Sequence, residues 1–331
     1  MIRFLVVRAL GTLGVLLALI TVVFVLQTAV PGDPVRASVG VNASDEVVEA
    51  ERHRLGLDEP LPVQYATYLG QVVQGGLGES LRTGRDVRAD IGAFLPATLE
   101  LAGFSIFLAG LGGLLIGVLS VVSSRLAAPA RLIFVGGASV PSFLLALILI
   151  YIFYFKLSWL PLSGRTGLAD APQGPTGLLL LDSLLHVRLD AFVDALRHLI
   201  LPGLALALVP AVAIGRVLRS SLIEVYRADY IRTLHAKGLP PRSVLFRHAL
   251  RNALSAPLTM AGLQLGLLLG GVVIVEAIFA WPGIGLYLNQ SIAFGDLRAI
   301  AGVTLVVGAG YVVVNTLVDL AQAAADPRIR L

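Results

Sequence analysis

The sequence predicts an all-α membrane protein with six transmembrane helices and a small extracytoplasmic domain between the first two. Three observations carry this. Of 331 residues, 56% are hydrophobic and only 14% charged, against about a quarter charged in an ordinary soluble domain. Mean hydropathy is +0.86, so the chain has too few polar groups to cover a soluble surface. The apolar residues gather in runs matching the roughly 20 helical residues that cross a hydrocarbon core. The same abundance of apolar surface excludes disorder.

The first span is residues 9–30, a run of 22 without a charge. It follows Arg3 and Arg8 and ends at Pro31-Gly32-Asp33-Pro34. It outruns a signal-peptide core and lacks a small-x-small cleavage site, so it is expected to stay attached. Residues 1–30 thus form a short tail and the first span. Residues 31–95 are too long for a plain loop. Val47, Val48 and Leu55 offer packing positions, Gly56–Pro60 reads as a helix stop and turn, and 61–73 carries Tyr65 and Tyr68. A small, mostly helical domain is expected here.

Residues 96–331 hold the remaining five spans. These are 96–122, with Glu100 near its start; 132–155; 199–215, interrupted by Pro202 and Pro210; 257–279, with Glu276 near its end; and 301–325, with Asp319. The segment 163–177 is rich in Gly and Pro and reads as irregular loop, and 178–199 as a short amphipathic helix near the interface. The insertion 216–251 is far longer than a plain connection requires. Ile223, Arg227, Tyr230 and Leu234 follow helical spacing, Gly238 stands where a helix would end, and Pro240-Pro241 can open the next. This helix–Gly–helix unit reads as a docking element; a solvated charged face is the plainer alternative.

Charge fixes the expected orientation. With the N-terminus cytoplasmic, inside segments carry 14 Lys/Arg and outside segments 11 over twice the length. Cytoplasmic segments attract Lys and Arg, so both termini are expected in the cytoplasm. The net charge of +4 has the same origin and implies no nucleic-acid partner.

Several chemistries are excluded. The chain has no cysteine, hence no disulfide, thiolate metal site or thiol nucleophile. It has no Gly-x4-Gly-Lys-[Ser/Thr] and only two lysines, Lys156 and Lys237, so no P-loop binds ATP here. His53, His186, His198, His235 and His248 include no i, i+4 pair, and no metal site is expected. An intramembrane serine protease needs a histidine base at membrane depth. Ser139 is available as nucleophile but no span contains a histidine; Ser139 is expected to bond its own helix backbone. Glu100, Glu276 and Asp319 lie near span ends, where snorkelling or a hydrogen bond to another helix would hold them. Gly262, Gly266 and Gly270, like Gly113 and Gly117, recur every four residues. Such stripes allow close helix packing or line a path or a subunit interface. A stand-alone secondary transporter or channel predicts an internal repeat or broken-helix pair; no repeat is visible, and it would leave 216–251 without a role.

At residues 229–254 the sequence meets a known pattern. Asp229-Tyr230-Ile231-Arg232-Thr233-Leu234-His235-Ala236-Lys237-Gly238-Leu239, then Arg247-His248-Ala249-Leu250-Arg251-Asn252-Ala253-Leu254, closely resembles the cytoplasmic "EAA" loop of ABC-importer permeases. The dipeptide/oligopeptide/nickel branch, first-permease type, is most similar. Glu276-Ala277-Ile278-Phe279-Ala280-Trp281-Pro282-Gly283-Ile284-Gly285 looks like that branch's block after span five. Asn315 with Asp319, the tail Asp326–Arg330, Gly32-Asp33-Pro34 and residues 55–61 match elsewhere. The resemblance covers nearly the whole chain in order. Departures are Leu234 for a common alanine, His235 where a charged residue is frequent, and Gly76 for a common aspartate.

The resemblance implies the type I ABC importer permease fold and a multi-pass subunit of the bacterial cytoplasmic membrane. A coupling helix over 230–238 would dock on a separate ATPase, with Asp229, Tyr230, Thr233, Leu234, His235, Ala236, Lys237 and Gly238 as contacts. Partners implied are two P-loop ATPases, which would hold ATP and Mg, a second homologous permease and an extracytoplasmic substrate-binding protein. This chain would bind no cofactor and catalyse nothing. Cargo would be di- or oligopeptides, or nickel or another small solute, moved by alternating access. Gly262, Gly266, Gly270, Glu276, Asn315 and Asp319 would line the translocation path or a helix interface.

Overall fold

A computed structural model describes residues 2–29, 36, 44–54 and 56–325. The motif residues Gly32-Asp33-Pro34, Leu55 and the 326–330 tail lie outside the described residues. Among the described residues the protein is helical. Its helices are α1 (Ile2–Ala29), α2 (Asp45–Arg54), α3 (Leu61–Val73), α4 (Val87–Val122), α5 (Ser124–Ser139) and α6 (Ser142–Leu149), which continues as a π-helical segment (Ile150–Lys156). Then come α7 (Leu179–Leu185), α8 (Leu189–Tyr226), α9 (Asp229–Ala236), α10 (Pro241–Ser243), a second π-helical segment (Val244–Ala249), α11 (Leu250–Ala253), α12 (Ser255–Ile278), α13 (Ile284–Phe294) and α14 (Leu297–Ala325).

Among the described residues four helices are long and apolar enough to cross a membrane alone, and up to six spans result if each of two bent pairs counts as one. The expected continuous span over 132–155 is therefore corrected. Its two limbs, Arg125–Gly137 and Ser142–Lys156, meet at 113°. Val140 is extended (ψ 118°) and Pro141 follows. Proline cannot donate to the preceding turn and pushes the residue before it out of helix, so the chain turns there. The span over 257–279 also bends, by 57° between Ser255–Leu268 and Gly270–Ile278.

Prolines mislead in the opposite sense at 199–215. There the structure builds one helix of 38 residues, α8, with Pro202 and Pro210 buried inside it. Each proline removes one backbone bond, and packing against α5, α6, α7 and α12 holds the helix across it. The short helix expected over 178–199 is two pieces instead. Val187 takes a positive φ of 56°, which ends α7 and lets α8 start at Leu189. Helical spacing likewise runs on in sequence through 223–234, but the chain leaves the helix at Arg227 and restarts at Asp229.

The chain forms two compact units, residues 1–95 with 287–312, and residues 96–286 with 313–331. In the first, α3 leans on α1: Tyr65 and Tyr68 lie 5.3 and 5.6 Å from the Phe24 ring, and the Tyr65 hydroxyl is 2.7 Å from Thr21 Oγ1. Val23, Ala301 and Leu305 share that core with Leu77. In the second, α8 is the hub, packed against α5, α6, α7 and α12. Gly113 and Gly117 bring α4 against the α8 backbone: a Cβ at Gly113 would stand 2.9 Å from the Ala211 carbonyl oxygen, and one at Gly117 3.0 Å from that of Gly215. Small residues here serve close packing.

Candidate functional site

The expected helix–Gly–helix unit forms. Helix α9 spans Asp229–Ala236 and has one buried face. Ile231 is enclosed with Leu218, Leu222, Val244, Leu245 and Ala249, and Leu234 and Leu239 pack on the same cluster. Enclosing a side chain such as Ile231 contributes about 1.5–3 kcal/mol. The C-terminus closes by two bonds, Gly238 N to the His235 carbonyl at 2.9 Å and Leu239 N to that of Leu234 at 3.2 Å. This is the Schellman closure, which needs left-handed backbone at the residue past the cap. Gly238 supplies it with φ 77°. Leu234 and Leu239 are the apolar pair that accompanies the motif. The Leu234 departure from alanine thus faces inward and completes the cap.

The other face is open. Asp229, Tyr230, Thr233, His235, Ala236, Lys237 and Gly238 are exposed. A polar tie anchors this face: Asn252 Nδ2 donates to the Tyr230 hydroxyl at 2.9 Å and to the His248 carbonyl at 3.1 Å. The tie links α9 to α11, directly before α12. Beside it a cleft of about 910 Å³ opens between α8 and α12, lined by Ser221, Glu224, Tyr230, Asn252 and Thr259 among others. Sequence reading did not single out Ser221, Glu224 or Thr259, because only the α8–α12 packing brings them together.

The other predicted positions scatter. Gly262 presses against Val318 of α14. Gly266 is buried, while Gly270 is exposed with nothing near its missing Cβ. The bend in α12 between Leu268 and Gly270 divides the stripe. Asn315 is half-buried, and the Asp319 side chain lies outside what is described. Ser139 Oγ donates to its own helix at the Val135 carbonyl, 3.1 Å away, as expected.

Glu276 takes the second of its two expected alternatives: it does not snorkel but is completely enclosed and bonded to other helices. Its carboxylate accepts bonds from Thr98 Oγ1 (2.6 Å), Gly285 N (2.7 Å) and Leu286 N (3.2 Å). Thr98 Oγ1 in turn accepts from Ile284 N at 2.8 Å. The first turn of a helix leaves its N–H groups without partners; here Glu276 and Thr98 satisfy three of them in α13. Trp281 Nε1 donates to the Ala97 carbonyl at 2.9 Å. Gly285 allows the approach, since a Cβ there would stand 2.5 Å from Val273 Cα. The block 276–285 is therefore a buried junction of α4, α12 and α13. Glu100 is held similarly, by Arg165 Nε at 2.9 Å and Leu180 N at 2.7 Å.

In the first unit a second polar cluster is buried. Asp296 accepts from Ser80 Oγ at 2.6 Å, and Tyr287 donates to Asp90 at 3.1 Å. Burial pushes the Tyr287 phenol up to about 12, so it remains a donor. Among the described residues no cluster of three metal-ligating side chains occurs.

Comparison with known proteins agrees with this geometry. Residues 1–102 match the N-terminal family of binding-protein-dependent transport system membrane components. Residues 109–331 match the family described as binding-protein-dependent transport system inner membrane component. The chain is 44% identical over 310 residues to a di/tripeptide transport system permease protein of Pseudomonas aeruginosa, covering 93% of this chain and 92% of the relative. It is 39% identical to a dipeptide transport system permease protein of Alkalihalophilus pseudofirmus, covering 98% of each. It is 35% identical to a glutathione transport system permease protein of Pectobacterium atrosepticum, covering 100% of this chain and 99% of the relative. With both family matches lying end to end along a helical, multi-pass chain, the protein belongs to the inner membrane components of binding-protein-dependent transport systems.

Proposed function

We propose that this chain is the first permease subunit of a peptide importer driven by separate ATPases, and that α9 is its coupling helix. The observation that carries this reading is the asymmetry of α9. One face is locked onto the chain by Ile231, Leu234 and the Gly238 closure, and the other offers Asp229, Tyr230, Thr233, His235, Ala236 and Lys237 outward. A helix so built transmits a push: its exposed face receives the partner and its buried face moves with α8 and α11. Two ATPases holding ATP and Mg, a second permease and an extracytoplasmic binding protein complete the assembly. Both termini face the cytoplasm, and residues 31–95 stand on the opposite side with the binding protein. ATP-driven closure then switches the cavity between inward- and outward-facing. The cleft between α8 and α12, with Ser221, Glu224 and Thr259, forms part of the cytoplasmic exit.

The cargo is peptide. The di/tripeptide, dipeptide and glutathione names of the relatives support this, and all three name short peptides. Gly262, Gly266 and Gly270 with Asn315 and Asp319 contribute helix packing and path lining, and Glu276 holds a helix junction.

The test is Gly238→Arg in the reconstituted importer. An L side chain at φ 77° strains the closure of α9, while nothing occupies the space around it. The expected outcome is normal membrane insertion and assembly, with binding-protein-stimulated ATP hydrolysis and dipeptide uptake reduced at least tenfold. Uptake at the original rate would overturn the coupling assignment.

A further inference from the structure

A cleft of about 520 Å³ lies at the end of the π-helical segment Ile150–Lys156, lined by Tyr154, Phe155, Trp159, Arg197 and His198 among others. Neither the coupling reading nor the helix junctions account for it. We propose that it binds the headgroup phosphate of an anionic phospholipid, with Arg197 as the anion-binding group and Trp159 as the interfacial wall. The inference takes Ser142–Lys156, one limb of a bent pair that together is long and apolar enough to span, as lying in the membrane, and does not rest on the coupling role of α9.

Three features converge. The first is depth. The cleft begins where that apolar limb ends, which on this premise is the membrane–water boundary, where Trp and Tyr concentrate because their rings are apolar and their polar atoms need partners. Trp159 and Phe155 are exposed, and neither is covered by the rest of the chain.

The second is charge. Arg197 Nη2 donates to the Trp159 carbonyl at 2.9 Å, which holds the guanidinium at the cleft and leaves its remaining donors for an anion. Lys156 sits over the Tyr151 ring at 5.5 Å, one turn away along the limb. The neighbouring acid, Asp194, is engaged elsewhere. Its Oδ2 accepts from Thr166 Oγ1 at 2.6 Å and from Gly167 N at 2.8 Å, and its Oδ1 lies 3.6 Å from His198 Nδ1. One guanidinium, that of Arg197, therefore faces a site whose lining carboxylate, Asp194, is already bonded to its own neighbours.

The third is continuity. Leu144, Leu147, Ile148, Tyr151 and Phe155 are exposed and follow helical spacing, so they form an apolar stripe running up the limb into the cleft. A soluble anion would use Arg197 and leave that stripe unused. A molecule with an acyl chain and a phosphate uses both.

Tryptophan fluorescence reads the site directly. The chain has two tryptophans; Trp281 is fully enclosed and Trp159 is 60% exposed. The complex purified from its membranes is placed in phosphatidylcholine nanodiscs carrying a minority of brominated phosphatidylglycerol, or of brominated phosphatidylcholine. Several-fold stronger quenching by the brominated phosphatidylglycerol is expected. Trp159→Phe removes the quenchable signal, Arg197→Ala removes the preference, and Arg197→Lys retains part of it. If Arg197→Ala does not assemble, Arg197→Gln serves and removes the preference. Equal quenching by the two lipids overturns the site, as does a preference that survives Arg197→Ala. Loss of the preference on adding inorganic phosphate assigns the cleft to a free anion and also overturns it. Trp159 protected from both lipids means that a partner chain covers the cleft, with the same consequence.

Discussion

At the scale of single residues, Glu276 shows how much a side chain's meaning depends on partners far away in sequence. Its neighbours in the chain are apolar and identify only a span end. Its burial follows from Thr98, 178 positions away, and from the free N–H groups of α13. Leaving a buried donor without its acceptor costs about 1–3 kcal/mol. Glu276→Ala orphans Gly285 N, Leu286 N and the Thr98 hydroxyl together, so a loss of several degrees in melting temperature is expected for the detergent-purified protein. Glu276→Gln keeps an acceptor at the site and should lose less than half as much. Equal melting temperatures for the three proteins would remove the junction role. Gly238 stands at the other extreme. Its left-handed backbone was legible from sequence because the cue is local: a glycine after helical spacing, before two prolines.

At the scale of elements, the proline pattern was read correctly in one place and wrongly in two. Pro240-Pro241 does open the next helix. Pro202 and Pro210 leave α8 unbroken, while Pro141 breaks a span that the apolar run alone made continuous. Local chemistry is the same in all three cases. Pro141 and Pro210 even line the same cleft of about 430 Å³; what differs is the helix around them, since α8 packs along its length against α5, α6, α7 and α12. The turn is expected to depend on its proline. Pro141→Ala restores an N–H and should let α5 run further toward α6. Spin labels at exposed positions 132 and 147 should then move apart, measured by electron–electron double resonance. An unchanged distance distribution would mean that packing, and not Pro141, sets the 113° bend.

At the scale of the whole molecule, family and helical class were legible from composition, span count and the 229–254 pattern. The division into two units was not, because residues 287–312 join residues 1–95 across nearly two hundred intervening positions. Orientation is open to direct measurement, because the chain has no cysteine to confuse labelling. Arg242→Cys in intact cells should resist a membrane-impermeant maleimide and react once the cells are opened; labelling from outside would reverse the proposed orientation. One further consequence belongs to the contact of α4 with α8. Side chains between two helices act as bearings: they change rotamer and let one helix slide past the other. At Gly113 and Gly117 α4 has no side chain to move, and its backbone lies against Ala211, Ile214, Gly215 and Leu218 of α8. The inner stretch of α4 is therefore geared to α8, and a stroke delivered to one is shared by the other without slack.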